Sequence, residues 1–505
     1  MPQPALALPT ATAAAPAATA PAASGAIKKG GTFTLAKPAG ITQFDPLQAG
    51  PENYAWMRGL YNSLLHYDAQ LNPQPELAES WDFAADGLTL SFKLRQGVKF
   101  HTGREFTSDD VKASVDFAKQ DSTAPLIVAY RTISSVETPD KYTAVLRFDK
   151  INPSIFDAIE TLYIIDKDTI DQRANMAVGT GPFKFDKYVP NDRVEMAAFD
   201  QYWETGKPYL DRYVVRQIPD LSSMAINLES GAVDCIWQPG YVDLARLRDE
   251  GKYGVDPGAP GAFMFALELN TRAEPFTNKL VRQAMAWSID RARFCKTALQ
   301  GFSEPATLIW PKHSWAYFPD LAGTIGFDLD KARSLLKQAG YDNGFDLELL
   351  STSKLGPGHK ELAQIIQGDL KSIGVNANIN DVESAVASDR ENKQDIVAVI
   401  HTFGRSNRDP GSVFAGTKSL ASDKEGGWTR IDSPTYDQLR TDLQSTLDRT
   451  QRTQTAHKIE ELLLDECFNN PVAYQPRGFA YANYVKGITY NMDNSPYVGD
   501  IWLDR

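Results

Sequence analysis

Helices and strands alternate along the second half of the chain, and this alternation constrains the fold more than any other feature of the sequence. Residues Asp328 to Ala339 have helical spacing, begin at an N-cap aspartate and stop before Gly340. Strand patterns follow at Phe345 to Leu350 and Val375 to Ile379, with a helix pattern from Lys360 to Ile373 between them. This rhythm predicts a doubly wound α/β lobe.

The segment from Asp395 to Phe403, DIVAVIHTF, is a nearly continuous apolar run, which is typical of a strand covered on both faces. Ligands in doubly wound lobes bind beyond the carboxyl ends of the strands. The loop after Phe403 is therefore the first place where we expect a binding site. Upstream, Thr277 to Leu299 has helical spacing and is predicted to form one helix.

The chain is too long for one hydrophobic core. It has 505 residues, whereas single cores stop growing at roughly 250 to 300 residues, so two or three lobes are expected. The net charge of −12 disfavours nucleic acid as a partner, because phosphate binding needs a basic face.

Residues 1–28 are rich in alanine, proline and threonine and contain no charged residue before Lys28. Such a segment buries too little surface to fold, so we expect a disordered tail or the remnant of a signal peptide. No run of about 18 apolar residues follows, so no transmembrane helix is predicted.

The cysteines and histidines show no metal-ligand spacing, and neither a metal nor a cofactor is expected. The odd number of cysteines (Cys235, Cys295 and Cys467) leaves at least one free thiol, and both buried thiols and one disulfide stay open. His401 lies in the strand that leads to the predicted site loop. It either contacts a ligand or is a buried core imidazole.

The stretch from Leu77 to Val111 contains a strand, a turn and a helix start. Thr89 to Leu94 alternates polar and apolar residues, as a strand with one buried face does. Asp86-Gly87 before it is a hairpin turn signal. Ser108, which precedes two aspartates, is predicted to cap a helix.

The order of the motifs over residues 29–505 resembles that of the family 5 solute-binding proteins, the extracytoplasmic receptors of peptide, nickel and opine ABC importers. The resemblance rests on Leu77 to Val111 and on the segments Gly179 to Phe183, Asp200 to Trp203, Asn270 to Ala284, Phe327 to Tyr341 and Asn470 to Tyr474. It implies a periplasmic binding protein-like α/β fold. It also implies a monomeric periplasmic receptor that captures a small solute between two hinged lobes, delivers it to an inner-membrane ABC permease and catalyses nothing.

The resemblance also implies a division into domains. Lobe I is expected to comprise residues 29–70, 178–270 and 471–505, with residues 71–177 as an extra subdomain. Lobe II is expected to comprise residues 271–470, so the chain should cross between the lobes near Asn270 and Asn470.

The predicted ligand loop departs from the pattern of the peptide receptors in this family. Those receptors carry W-x-x-D-x-x-D/E-P, in which the first acid pairs with the α-amino group of the peptide, whereas this chain reads FGRSNRDP from Phe403. The position of the amine-binding acid is occupied by Ser406, and Arg405 and Arg408 add positive charge. Guanidinium groups suit carboxylate or phosphate, so we expect a ligand with an anionic or polar group and without a peptide N-terminus. Opine-like, organic-acid, aromatic and oligosaccharide ligands stay open.

Other candidate ligand residues are Asn407 in the same loop, Phe263 near the loop end of the strand before Asn270, and Trp237 at a strand end. The resemblance alone adds Tyr474 and Gln475, which follow the second predicted lobe crossing. Core packing is the alternative for Trp237, and surface charges paired with Asp409 or with solvent are the alternative for the two arginines.

Two further functions are kept as alternatives. The first is a di- or oligopeptide receptor of the same family. The second is a secreted hydrolase, which the sequence disfavours because neither Gly-x-Ser-x-Gly nor His-Glu-x-x-His is present.

Overall fold

The computed structural model describes residues 27–40, 44–48, 53–68, 72–120, 127–353 and 356–505. Apart from its last two residues, the predicted tail lies outside these ranges. The chain divides into two compact units. Unit 1 comprises Met1–Ala259 and Arg477–Arg505, and unit 2 comprises Pro260–Pro476.

Strands and helices are numbered here in chain order. The strands are β1 (Thr32–Lys37), β2 (Leu65–Tyr67), β3 (Pro73–Pro75), β4 (Ala78–Phe83), β5 (Thr89–Leu94), β6 (Ile133–Asp140), β7 (Thr143–Phe148), β8 (Phe183–Val189), β9 (Arg193–Ala198), β10 (Arg212–Gln217), β11 (Cys235–Trp237), β12 (Tyr253–Asp256), β13 (Phe263–Leu269), β14 (Phe345–Ser351), β15 (Val375–Asp381), β16 (Ala398–Gly404), β17 (Asn469–Tyr474), β18 (Phe479–Ala482), β19 (Val485–Lys486) and β20 (Trp502–Leu503). The helices are α1 (Tyr54–Leu60), α2 (Ser108–Gln120), α3 (Ile127–Tyr130), α4 (Ile155–Glu160), α5 (Leu221–Glu229), α6 (Tyr241–Glu250), α7 (Lys279–Ser288), α8 (Arg291–Thr297), α9 (Leu329–Gln338), α10 (His359–Lys371), α11 (Ser384–Asn392), α12 (Ser412–Gly416), α13 (Pro434–Ser445) and α14 (Arg449–Glu466).

Unit 1 contains a seven-stranded sheet in the order β12-β18-β11-β1-β10-β9-β8, in which β1 runs parallel to β10 and β11. A separate four-stranded antiparallel sheet, β4-β5-β7-β6, lies within the predicted extra subdomain. Its apolar core continues into residues outside that segment, among them Leu64, Leu65 and Met492. The predicted hairpin turn is confirmed, because Gly87 joins β4 to β5 in the left-handed conformation (φ +68°). The subdomain as a separate body stays a prediction.

Unit 2 is built on a five-stranded mixed sheet in the order β15-β14-β16-β13-β17. β14 runs parallel to β15 and β16, and β13 runs antiparallel to β16 and β17. The apolar run predicted as a central strand is β16, which lies between two neighbours and buries Ala398, Val399 and Ile400. The helical pattern before β14 is confirmed as α9, with Asp328 accepting a hydrogen bond from the Lys331 amide.

The unit boundaries differ from the predicted lobe crossings near Asn270 and Asn470. They fall at residues 259/260 and 476/477. The reason is strand pairing, because β13 and β17 lie side by side in the sheet of unit 2, with Met264 opposite both Phe403 and Tyr474. Both strands therefore belong to unit 2.

Two local predictions were wrong. The segment from Thr277 to Leu299 forms two helices, because Ile289 adopts an extended conformation (ψ 114°) and Asp290 caps α8 by accepting a hydrogen bond from the Arg293 amide. Ser108 is the first residue of α2 and does not cap it. Its hydroxyl donates to the Asp140 carbonyl at 2.6 Å.

Among the described helices, none combines the length and apolar content that crossing a membrane requires.

Candidate functional site

Strand pairing in unit 2 gathers most of the predicted ligand residues at one edge of the sheet. Phe263, which begins β13, pairs with Gly404 at the end of β16. The Gln475 amide, just after β17, donates to the Phe263 carbonyl at 2.9 Å. We call this place the carboxyl edge of unit 2, and its residues are Phe263, Phe403, Arg405, Ser406, Asn407, Arg408, Tyr474, Gln475 and Thr352 after β14.

Backbone hydrogen bonds hold the loop after β16 in a defined shape. Arg405 adopts the left-handed conformation (φ +69°), which is uncommon for a residue other than glycine. Its amide donates to the Ala262 carbonyl at 3.2 Å, and the Asn407 amide donates to the Gly261 carbonyl at 3.0 Å. A residue other than glycine keeps this conformation only where the surrounding structure enforces it, and such residues are common at binding sites.

The loop buries its polar side chains. Ser406 is 0% exposed, and Asn407 and Arg408 are 1% and 4% exposed. The alternative of solvent-facing surface charges is therefore wrong for Arg408. The Asp409 carboxylate accepts two hydrogen bonds from Arg452, at 2.8 and 2.6 Å, which anchor the end of the loop to α14.

Two buried hydroxyls lie at the ends of neighbouring parallel strands. Among the described residues, neither the Ser406 Oγ after β16 nor the Thr352 Oγ1 after β14 has a hydrogen-bond partner. A buried hydroxyl without a partner costs free energy, so it calls for an explanation such as a ligand that supplies the missing bond. Sequence reasoning missed Thr352, although its position directly after a predicted strand was the signal that could have found it.

Phe263 and Gln475 extend over the same edge. A Cβ atom built on Gly404 would lie 3.3 Å from the Phe263 ring, so the absence of a side chain at Gly404 lets the ring pack on the backbone. A Cβ atom built on Gly356 would lie 3.7 Å from the Gln475 Nε2. The Gln475 side chain therefore reaches the loop that follows β14.

Phe403 and Tyr474 contribute mainly to packing. They are 3% and 6% exposed and belong to one core cluster with Met264 and Trp310. Burial raises the pKa of Tyr474 well above its ordinary value, so its phenol is neutral. Its side chain also lines a cavity described below.

Trp237 belongs to unit 1. Its ring is 0% exposed and stacks on Phe479 with 6.2 Å between ring centroids. The position at the end of β11 is the predicted one, but the environment is the apolar core of unit 1.

His401 lies between two carboxylates. Its Nδ1 is 3.6 Å from a Glu268 oxygen, and its Nε2 is 3.8 Å from a Glu391 oxygen. Burial lowers the pKa of His401, but the interaction with the nearby Glu268 carboxylate and the negative charge of Glu391 raise it, for a net rise.

Across the described ranges, no group of three or more His, Cys, Asp or Glu side chains is placed to hold a metal ion. Cys235, Cys295 and Cys467 are all buried free thiols, so the disulfide alternative is wrong.

Comparisons with known proteins agree with this architecture. Residues 72–424 match the family model of the bacterial extracellular solute-binding proteins, family 5 middle region. The chain is 28% identical over 459 residues to heme-binding protein A of Haemophilus influenzae, covering 83% of this chain and 82% of the relative. It is 26% identical over 441 residues to the dipeptide-binding protein of Escherichia coli, covering 81% and 82%. An ABC transporter-associated periplasmic binding protein of Helicobacter pylori, solved with the peptide STSA, has a TM-score of 0.80 at 26% identity, covering 95% of this chain and 99% of that one.

The chain therefore belongs to the family 5 extracellular solute-binding proteins of ABC importers. The proteins of this family bind small ligands or peptides and work with ABC permeases. Because the relatives range from a heme-binding to a dipeptide-binding protein, family membership alone leaves the ligand open.

Proposed function

We propose that the carboxyl edge of unit 2 binds the transported solute through an anionic or polar group, and that the solute is not a peptide with a free N-terminus. The chain then acts as a periplasmic receptor that delivers this solute to a membrane permease and catalyses no reaction.

The observation that carries the proposal is the buried Ser406 hydroxyl, which has no hydrogen-bond partner among the described residues. In peptide receptors that this chain resembles, an acid at this position pairs with the α-amino group. A serine offers no negative charge, and leaving a desolvated ammonium without its partner costs several kcal/mol. An oxygen atom of a carboxylate or a phosphate can instead accept a hydrogen bond from the Ser406 hydroxyl.

The neighbouring side chains favour the same ligand chemistry. Arg405 and Arg408 flank Ser406 in a loop of fixed shape, and guanidinium groups bind carboxylates and phosphates through two parallel hydrogen bonds. The Thr352 hydroxyl at the end of β14 adds a second donor.

A di- or oligopeptide ligand is the second candidate. It is favoured by the similarity to the dipeptide-binding protein of Escherichia coli and to the Helicobacter pylori protein solved with a peptide. A peptide would need another group of this chain to hold its ammonium.

Restoring the acid tests the proposal directly. The Ser406→Asp variant should bind dipeptides at least about tenfold more tightly than the native chain in isothermal titration calorimetry, since each factor of ten is about 1.4 kcal/mol. Ser334→Asp adds the same charge on an exposed face of α9 in unit 2 and should change nothing. Tight dipeptide binding by the native chain, unaltered in Ser406→Asp, would contradict the proposal.

A further inference from the structure

Unit 2 contains a cavity of about 260 Å³, which shares Tyr474 with the carboxyl edge and is otherwise lined by residues to which the proposed function gives no role. It is enclosed by the start of α8, the segment 304–308 and the loop 322–327. Its walls are mainly apolar and include Ile289, Ala306, Leu308, Ile325, Phe327 and Tyr474. An apolar cavity of about 150 Å³ holds a benzene molecule, so this one has room for a compact body of about ten non-hydrogen atoms.

A buried arginine lines the cavity. Arg291 is 6% exposed, and its guanidinium donates to two backbone carbonyls, those of Pro471 at 2.8 Å and Ala286 at 3.1 Å. Within the described part of the chain, no carboxylate forms an ion pair with Arg291. Burial lowers the pKa of Arg291 to about 10, so the group keeps its charge at neutral pH.

Two buried thiols that interact electrostatically with Arg291 do not offset its charge, and neither does a buried carboxyl group that lines an adjoining void. Burial raises the pKa of the Cys295 and Cys467 thiols to about 12, so both are neutral. Glu460 lines a water-sized void together with Arg291, but burial raises the pKa of Glu460 to about 8. It is therefore mostly protonated at neutral pH.

The other charged groups of the cavity lie at its mouth and have partners. Glu304 and Lys312 form an ion pair at 2.6 Å, and both side chains are more than half exposed. The Asp290 carboxylate accepts a hydrogen bond from the Arg293 amide at 2.9 Å. Arg291 is therefore a buried lining residue whose charge has no carboxylate partner within the described ranges. Attraction to an opposite charge is strongest where water is excluded.

We propose that this cavity is a second binding site, which takes a small organic anion: a carboxylate with a compact aromatic or branched aliphatic body. The carboxylate pairs with Arg291, and the body replaces water against the apolar walls. The site shares Tyr474 with the carboxyl edge, but Arg291 and the other walls named above are not part of that edge. The proposal goes beyond the proposed function, since the cavity exists whichever solute the edge binds.

Calorimetric titration of the purified full chain tests the proposal with three probes of nearly equal shape. Phenylacetate should bind, 2-phenylethanol should bind at least about tenfold more weakly because it lacks the charge, and 2-phenylethylamine should not bind. Equal affinity for phenylacetate and 2-phenylethanol would overturn the role of Arg291, and the absence of binding by any probe would overturn the site.

Two variants locate the binding. Ile325→Trp fills the cavity from a partly buried loop position and should abolish phenylacetate binding. Val242→Trp places the same ring on an exposed position of unit 1 and should leave it intact. Binding that survives in Ile325→Trp but is lost in Arg405→Ala would show that phenylacetate occupies the carboxyl edge, and the proposal would fail. Arg291→Met should bind phenylacetate no more tightly than 2-phenylethanol. If this variant does not fold, the three probes and Ile325→Trp still test the proposed site.

Discussion

Each unit contains a buried arginine, Arg58 in unit 1 and Arg291 in unit 2, and the two differ in the groups that surround the guanidinium. In unit 1, Arg58 is 8% exposed and donates to Glu160 at 2.7 Å and to Asp493 at 2.9 Å. Burial lowers the pKa of Arg58, but the surrounding negative charges and tyrosines outweigh this effect and raise it. In unit 2, Arg291 is similarly buried, its hydrogen-bond partners among the described residues are backbone carbonyls, and burial lowers its pKa.

The contrast indicates which buried charge is structural and which is available to a ligand. When one member of a buried ion pair is mutated, the other member stays buried without its partner and destabilises the fold. Such a pair therefore stabilises the fold only when both members are present. A buried cation without an anionic partner can instead bind an anionic ligand, and this pairing lowers the free energy. The following predictions test this distinction, from the largest expected effect to the smallest.

Arg58→Met should destabilise the protein by about 3–5 kcal/mol, because it leaves Glu160 and Asp493 buried without their cation. Urea denaturation followed by circular dichroism measures the loss. Arg246→Met is the matched control, since Arg246 pairs with Glu229 and Glu250 on the surface and should cost less than about 1 kcal/mol. Equal losses for the two variants would contradict the structural role of Arg58.

Arg405→Ala should weaken binding of the native solute by about 1.5–3 kcal/mol, the range for a hydrogen bond to a charged group. This corresponds to roughly a tenfold to a hundredfold rise in Kd, measured by calorimetry. Arg333→Ala, which removes an exposed arginine of α9, serves as control. Undiminished affinity in Arg405→Ala would remove the anionic part of the proposal.

Glu460→Gln should change how stability depends on pH. Burial raises the pKa of Glu460 from 4.5 to about 8, so the folded chain keeps a proton that the unfolded chain releases. Stability therefore falls as the pH rises from about 4.5 to 8, by at most about 1.4 kcal/mol per pH unit.

Denaturation midpoints at pH 5, 6, 7 and 8 would show a flatter profile in Glu460→Gln than in the native protein. The neighbouring Glu461→Gln, at a side chain 54% exposed, should keep the native profile. If stability depended on pH in the same way in the native chain and in Glu460→Gln, the raised pKa of Glu460 would be refuted.

Arg291→Met should have the smallest effect on stability, within about 1–2 kcal/mol, because it breaks no ion pair and loses only two hydrogen bonds to carbonyls. Urea denaturation of Arg291→Met and Arg58→Met under the same conditions compares their losses in free energy of unfolding. A loss as large as that of Arg58→Met would mean that Arg291 is structural, and the distinction between the two arginines would fail.

Much of the local structure could be predicted from sequence because local patterns determine it. The alternation in Thr89 to Leu94 matches β5, and the apolar run before the site loop matches β16. Phe263, the loop after Phe403 and Gln475, each named as a candidate from sequence, are brought to one edge by strand pairing in unit 2.

The rest depends on tertiary context. Sequence spacing does not reveal which sheet a strand joins, and β13 and β17 pair within the sheet of unit 2. The break at Ile289 depends on the cap that Asp290 makes. Whether an aromatic strand end such as Trp237 meets a ligand or a core also depends on neighbours distant in sequence, here Phe479. Spacing in the sequence did not indicate that Arg291 is buried and, within the ranges the structure describes, lacks a carboxylate partner.

The most direct test of the proposed function is native mass spectrometry of the purified chain, followed by denaturation and identification of any released small molecule. Using the Ile325→Trp variant beside the native chain separates a molecule held in the cavity from one held at the carboxyl edge. We expect a released compound with a carboxylate, phosphate or other polar group and without a peptide N-terminus. A peptide released from both proteins would contradict the proposed ligand chemistry, since Ser406 offers no charge to hold its ammonium.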